Sequence, residues 1–414
     1  MNRFHKISFL FCTLFCLSFI TTGCEKAPQR AETENKAPKA EIGLSSEKYV
    51  SIKKAHEQIA ELEGNMAAGF HFPDYLAMPE GDTISEVKLI PWEPRGKKDF
   101  ETALQNLWSG YNTVDWSAIR RTKRQIAVEK NNKKYFGDKY FYIEKENEKT
   151  GIYYSYDSNG FFCGDSLGDT KLTCESCVKK YDFEWGDTSS DKDTYPLEDG
   201  NVSVSEAVSY VETLLNQHLP AMERNQFSYK VQHLYVVRNE ETGYYDYNMS
   251  IGRVYQGVLI DTSSAFTLSE GKCYDKIHSG KNILATMRHK NKLDYINICD
   301  ELLTAETETA AKKIISPFWA VQQMNQKIAH LGGLNFVHGG LVYLLVQDNQ
   351  RAKDNVQDIF QGVAHGATSL RPVWLFMSQG SDSISPGFTK DNHGTTVVTD
   401  AIDGTLYYYE EAGI

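Results

Sequence analysis

Three groups of residues in this sequence have the types that chemistry uses. The first is Phe161-Phe162-Cys163-Gly164-Asp165-Ser166-Leu167, with Asp275-Lys276-Ile277-His278 further along the chain. A serine becomes a nucleophile when an imidazole takes its proton and fixed donors hold the oxyanion. Ser166, His278 and Asp275 have the types for nucleophile, base and orienting carboxylate. The second group is Cys174-Glu175-Ser176-Cys177 with Cys163 nearby. A structural zinc takes four ligands, commonly as two close pairs, and the sequence has no second Cys-x-x-Cys and no spaced histidine pair. The third is acidic: Asp187, Asp191, Asp193 and Asp199 share one stretch, but they do not match the twelve-residue calcium-loop pattern with its closing glutamate. His330 and His338 lack the i, i+4 spacing and the glutamate of a zinc helix and read as loop residues near a turn. The sequence therefore calls for no metal and no cofactor.

The elements that must position these groups begin after an unusual N-terminus. Arg3 and Lys6 precede the uncharged apolar run Ile7 to Ile20, which leads through Thr21-Thr22-Gly23 to Cys24. That is the layout of a secretory signal, and the run is shorter than the roughly 20 residues a membrane span needs. Glu25 to Glu47 is polar, carries Pro28 and Pro38, and reads as a flexible tether. The formal net charge is −11, and removal of residues 1–23 takes two more cations away. Such a surface argues against nucleic acid, and against adhesion to an anionic membrane by overall charge. Of eight cysteines, Cys12 and Cys16 fall inside the signal. An exported compartment permits disulfides. The expected set is Cys273–Cys299 plus one bridge among Cys163, Cys174 and Cys177.

Beyond the tether, Tyr49 to Asn65 reads as a helix with Ile52, Ala55, Ile59 and Leu62 on one face, and Asp99 to Tyr111 as a second. Tyr135 to Tyr156 reads as a hairpin, and Gly164 to Gly200 as a loop-dominated boundary rich in Gly, Asp and Ser. Ser203-Val204-Ser205-Glu206 has the capping-box pattern and opens a helix that Pro220 closes. Strands follow at 229–238 and 244–254. Ser316-Pro317 starts another helix. Strands at 341–346, 371–377, 396–402 and 406–409 complete the chain, with Asp403-Gly404 as a hairpin turn. Helix followed by antiparallel strands thus occurs twice, in element order rather than residue identity.

Three resemblances attach to these residues. Gly23-Cys24 at the end of its apolar run resembles the lipobox of bacterial lipoproteins, which implies that Cys24 carries lipid and becomes the first mature residue. The capped helix followed by Arg253-Val254-Tyr255-Gln256-Gly257-Val258-Leu259-Ile260-Asp261 resembles extracytoplasmic PepSY-like modules. So does Arg371-Pro372-Val373-Trp374-Leu375-Phe376 with Val397-Val398-Thr399-Asp400-Ala401-Ile402-Asp403-Gly404-Thr405-Leu406. The whole chain looks like an uncharacterised lipoprotein family of clostridia and related Gram-positive bacteria. That likeness implies binding, inhibition or regulation in the cell envelope and brings no catalytic residues. Gly164-Asp165-Ser166-Leu167 is similar to the nucleophile block of the GDSL esterases, which implies a hydrolase centred on Ser166. The block is expected to end the first strand of an alternating α/β fold, yet here it follows a tyrosine-rich hairpin, and a Gly-x-Asn-Asp block is missing.

The expected fold is α+β, with helices packed on antiparallel sheets in two or three domains, the C-terminal ones PepSY-like. Its divisions are a signal at 1–23, a tether at 24–47, an N-terminal α+β domain at 48–199 and helix-plus-sheet units at 200–310 and 311–414. The expected function is non-enzymatic binding or regulation by a lipid-anchored protein on the extracytoplasmic face of the cell membrane. Its partners are the membrane, through the N-terminal lipid, and another cell-envelope protein, with no nucleic acid. A serine esterase at Ser166 is the alternative.

Overall fold

From Glu41 onward the described chain is dominated by strands. The computed structural model describes residues 41–79, 81–90, 107, 122–130, 133–141, 143–147, 152–156, 161–165, 177–183, 192–219, 223, 226–240, 242–261, 282–298, 303–328, 334–346, 369–378 and 395–410. For residue 90, the strands within 122–165, residue 298 and residues 407–410 it describes the backbone alone. The elements begin with β1 (Tyr49–Ser51) and α1 (Ile52–Leu62), then β2 (Met66–Ala67), β3 (Phe70–His71) and β4 (Ile84–Ile90). Next come β5 (Thr122–Lys130), β6 (Lys133–Phe141), β7 (Ile143–Asn147), β8 (Ile152–Tyr156), β9 (Phe161–Asp165) and β10 (Cys177–Asp182). The hairpin of β11 (Thr194–Leu197) and β12 (Gly200–Ser203) runs directly into α2 (Val204–His218). Then follow β13 (Ser228–Arg238), β14 (Tyr245–Tyr255), β15 (Val258–Asp261), β16 (Ile283–Met287) and β17 (Tyr295–Ile298). After β18 (Thr304–Ala311) and β19 (Lys313–Ile315) stand α3 (Pro317–Ile328), β20 (Phe336–Val346), β21 (Ser369–Ser378), β22 (Thr395–Asp400) and β23 (Leu406–Glu410).

Each helix starts where a side chain can satisfy the orphan amides of a first turn. Ser51 Oγ accepts from the Lys54 amide at 3.2 Å, and Ser316 Oγ accepts from Trp319 at the same distance, with Pro317 first in the helix. Ser203 and Glu206 form the reciprocal box: Ser203 Oγ accepts from the Glu206 amide, and Glu206 Oε2 accepts from the Ser203 amide at 2.8 Å. The apolar spacing then decides which face is buried. Ile52, Ala55, Ile59 and Leu62 of α1 join Phe318, Val321, Met324 and Ile328 of α3 in one core. Val204, Ala207, Val211 and Leu215 of α2 enter another. Of the helix expected at 99–111, only Leu107, helical and buried, lies among the described residues. No described helix is long and apolar enough to cross a membrane.

The expected α+β class is overturned. Strands make up 53% of the interpretable chain, against three helices. Fifteen strands form one mixed sheet, in the order β18-β4-β21-β20-β15-β14-β16-β17-β9-β8-β7, with β13 and β10 branching from β14, and β22 and β23 branching from β21. The segments read as separate PepSY-like units share this sheet rather than owning one each. The link is β15, antiparallel to β14 and parallel to β20, with Ile260 opposite Tyr343 and Asp261 opposite Leu344. Strands of ten or eleven residues rich in Val, Leu, Tyr and Phe, such as β13, β20 and β21, give the sheet its extent.

Local expectations are corrected too. The hairpin read at 135–156 is present over 143–156, where β7 pairs with β8, but its first part belongs to β6, which pairs with β5. The stretch read as loop-dominated contains β10 and β11, and β10 lies along β13 with Tyr181 in the core. The Asp403-Gly404 turn is wider than two residues, since the last pair is Thr399 with Leu406, and Asp400 Oδ1 accepts from the Ile402 and Asp403 amides. Pro372 lies within β21 where its neighbour changes. Of β21, only Ser369 and Leu370 pair with β4, and β22 begins opposite Val373. The Pro372 carbonyl accepts from Ala401 at 2.9 Å, so its ring nitrogen faces the fork and costs the ladder no bond.

Gly340 is the tightest backbone approach. Its φ is +141°, and a Cβ there would fall 2.2–2.7 Å from the backbone of Ala77, which bridges the edge of β20. Gly340→Ala is expected to destabilise the protein by about 3 kcal/mol or more, through strain and overpacking together. Urea unfolding of the two proteins checks this, and equal midpoints contradict it.

Candidate functional site

Alternation sorts the residues of β10, β13, β14 and β16 onto two faces. Tyr181, Leu234, Met249 and Ala285, opposite one another in register, point into the core beneath α2. The other face carries polar rows. Asp182 stands opposite His233, and His233 opposite Ser250. One step along, Lys180, Tyr235, Asn248 and Thr286 form a second row. Gln232, Asn248, Ser250 and Thr286 are all buried, so these groups must be satisfied internally. Asn282 Nδ2 donates to Ser250 Oγ at 2.8 Å and also to Gln232 Oε1, while Thr286 Oγ1 donates to Asn248 Oδ1 at 2.8 Å.

Two β-bulges shape this face. Gln232 is the extra residue of β13, between the pairs Val231–Ile251 and His233–Ser250. Its carbonyl accepts from Phe183 at 2.7 Å, and its amide lies across Gly252, where a Cβ would come within 2.4 Å of Nε2. A second bulge at Val337 precedes His338 in β20. A bulge re-aims the side chains beside it, and here each precedes a histidine. Asp182 connects the two. Burial raises its pKa, but His233, Lys180 and His338 together outweigh burial and hold the carboxyl below its ordinary value. Asp182 Oδ1 lies 3.5 Å from His233 Nδ1, and Oδ2 lies 3.7 Å from Lys180 Nζ. The buried Gln232 Nε2 has no hydrogen-bond partner among the described residues.

Ser250, His233 and Asp182 have the residue types of a nucleophilic triad, set across three adjacent strands. Their bonds are of another kind. The Ser250 hydroxyl accepts from Asn282 Nδ2, and 3.5 Å between Asp182 and His233 is long for the bond that would orient an imidazole. With an unmatched amide donor beside it, the arrangement is suited to hold an acceptor oxygen rather than to attack a carbonyl. No three His, Cys, Asp or Glu side chains converge as a metal site among the described residues. A third histidine, His289, fastens a turn. Its ring lies 3.0 Å from Asp294 and 3.3 Å from Glu198, and Asp294 also accepts from the Arg288 amide at 2.7 Å.

The residues singled out from sequence fall mostly elsewhere. Cys24, Ser166, Asp275, His278, Cys174, Cys273, Cys299, Asp187, Asp191 and His330 lie outside the described residues. Cys163 is in β9, opposite Tyr154 and Ile296, and Cys177 opens β10 with its Sγ 3.7 Å from the Lys179 carbonyl. Asp193 accepts from Tyr181 at 2.6 Å, and Asp199 accepts from the Lys290 amide, so both close local contacts. His338, expected in a loop, is a strand residue opposite Met377. Sequence reading missed the Asp182–His233–Ser250 row because its members come together through strand register, which a linear pattern does not reveal. Comparison with protein-family models gave no match, and comparison with curated protein sequences gave none either.

A depressed carboxyl pKa stabilises the fold above the unfolded-state value, about 3.9 for Asp, and that stability is lost as pH falls through the folded value. Asp182→Asn is therefore expected to cost about 1–2 kcal/mol at neutral pH. It is also expected to flatten the fall in stability below about pH 4. Urea midpoints measured against pH check this, and parallel curves for the two proteins contradict the assignment.

Proposed function

We propose that this chain is a lipid-anchored protein of the extracytoplasmic face of a bacterial cell membrane, where it binds another envelope protein without catalysing a reaction. The anchor rests on the N-terminal sequence, in which two basic residues and a short apolar run end at Gly23-Cys24. A lipid of this kind holds the protein at the bilayer and leaves the rest of the chain to do the work.

The observation that carries binding over hydrolysis is the setting of β9, which runs into Gly164-Asp165-Ser166-Leu167. It pairs antiparallel on both edges, with β8 and with β17. A nucleophile motif of this type draws its meaning from the end of a strand in an alternating parallel sheet, whereas both neighbours of β9 are antiparallel. On the polar face, Asp182 and His233 stand 3.5 Å apart, which is long for the orienting bond of a triad.

Palmitate labelling of cells that produce the full chain is expected to mark the protein, and Cys24→Ala is expected to abolish the label and leave the protein unprocessed or released. Label that survives the substitution contradicts the anchor. The purified protein is expected not to react with a fluorophosphonate probe. Labelling at Ser166 that disappears in His278→Ala, or at Ser250 that disappears in His233→Ala, restores the hydrolase reading.

A further inference from the structure

The chain is acidic overall, yet one part of its surface is not. β1 and β19 pair antiparallel, with Tyr49 opposite Ile315 and Ser51 opposite Lys313, and α1 starts directly after β1. Val50 and Ile314 fill the core from this ribbon. What it leaves outside is Lys48, Tyr49, Lys53, Lys54, Lys312 and Lys313, all exposed. Lys48 Nζ stands 5.3 Å over the Tyr49 ring and 4.9 Å over that of Trp319. Trp319 is fixed from below by Gly404, where a Cβ would come within 2.9 Å of the indole.

Few carboxylates oppose these five lysines. Glu47 is paired with Lys54 at 2.6 Å and also feels the charge of Lys313, which places both lysines around one carboxylate. Glu57 lies near Lys54. Asp403, beside Gly404, is engaged by Arg371 at 3.1 Å. Among the described residues, Lys48, Lys53, Lys312 and Lys313 enter no ion pair. A cationic patch with a tyrosine and a tryptophan at its surface matches the headgroup layer of an anionic bilayer, where amphipathic rings and lysines are both favoured.

We propose that this face lies against the anionic membrane surface into which the Cys24 lipid inserts; the inference rests on the anchoring reading above. Chain geometry allows it. The described chain begins at Glu41, bridged to Met66 beyond the far end of α1, and runs back to Lys48 with the Leu44 carbonyl accepting from Gln322 at 3.2 Å. Residues 24–40 can span at most roughly 60 Å, whereas α1 is only about 16 Å long. The lipid can therefore reach the plane of the patch from the entry point. Each lysine near such a surface contributes on the order of a fivefold gain in association, so the patch sets orientation while the lipid sets residence.

The test uses the full lipidated protein on vesicles of phosphatidylcholine alone, or with about 30% phosphatidylglycerol, the anionic component of the test. Lysines are acetylated with an amine-reactive ester and read by mass spectrometry. Lys48, Lys53, Lys54, Lys312 and Lys313 are expected to react about fivefold more slowly on the anionic vesicles, with the difference lost at about 1 M salt. The exposed Lys230 and Lys290 serve as internal controls and are expected to be unchanged. A Lys48→Glu, Lys53→Glu, Lys313→Glu variant is expected to lose the protection at Lys54 and Lys312. Flotation with neutral vesicles reports the lipid separately. Flotation with equal lysine reactivity on both vesicles overturns the patch and leaves the anchor standing. Protection on anionic vesicles without flotation on neutral ones overturns the anchor and leaves the patch. Protection by soluble polyglycerol phosphate but not by vesicles overturns the bilayer as occupant in favour of an acidic polymer.

Discussion

Glu223 is a fully buried carboxylate at the seam between two hydrophobic cores, and the joining of those cores depends on how its charge is held. Arg253 Nε donates to Oε1 at 2.8 Å, the Leu303 amide donates to the same oxygen at 2.7 Å, and the Tyr229 hydroxyl donates to Oε2. The three donors come from β14, from the approach to β18 and from β13. On entering β13 the chain passes from Phe227, in the core beneath α1 and α3, to Tyr229, in the core beneath α2. Along β14, Ile251 lies in the second of these and Tyr255 in the first. Burial and the neighbouring carboxylate push the Tyr229 hydroxyl far above its ordinary pKa, so it is a permanent donor. Removing one partner of such a cluster leaves a charge stranded in a low dielectric, typically at a cost of about 3–5 kcal/mol. Gln226 adds a second tie at the seam, with its side chain bonded to both the amide and the carbonyl of Ala305.

This seam explains why the chain does not divide where its repeated helix-then-strands order suggests. Two α+β units would need two sheets, each closed on its own core. Instead β15 passes from an antiparallel partner to a parallel one, and the Glu223 cluster holds the strands around that crossing in place. On the far side of the sheet, Val342, Leu344, Val373, Leu375, Met377 and Val398 form a third buried cluster, so β20 to β22 are apolar on both faces. Their near-continuous hydrophobic character follows from burial on two sides. The face of β13 and β14 that turns away from α2 is polar by contrast.

The elements legible in the sequence were those specified by neighbours along the chain. The Ser203–Glu206 box, the Ser316-Pro317 start and the spacing of Ile52, Ala55, Ile59 and Leu62 are local patterns with local causes, and each stands where its pattern predicts. The long strands were visible as β-branched and aromatic runs. Illegible were the features set by distant neighbours. The parallel pairing of β15 with β20 has no signature in either strand. β10 lies in a stretch whose Gly, Asp and Ser content suggested loop, yet the alternation of Tyr181 inward and Asp182 outward serves the sheet. The Asp182–His233–Ser250 row needs the register of three strands and a bulge at Gln232, which single-strand periodicity cannot supply. A loop assignment for His338 follows naturally from its two glycines. Gly340 is instead required by the backbone of Ala77, and Gly339 by the Phe376 ring and the Leu375 carbonyl.

Net charge is a coarse guide, and the reason is the range over which charge acts. At physiological ionic strength the screening length is about 8 Å, so a surface meets its partner through the charges within a few side chains of the contact. A total of −11 describes the far field and bears on solubility and long-range steering. It says little about a ribbon such as β1–β19, where lysines crowd around Glu47, Glu57 lies near Lys54, and Asp403 is occupied by Arg371. The acidic remainder even gives such a patch direction. A molecule negative on most sides and positive on one is repelled from an anionic surface in every orientation but one. With the membrane-facing orientation proposed above, overall acidity and a local basic face act together rather than as opposing signals.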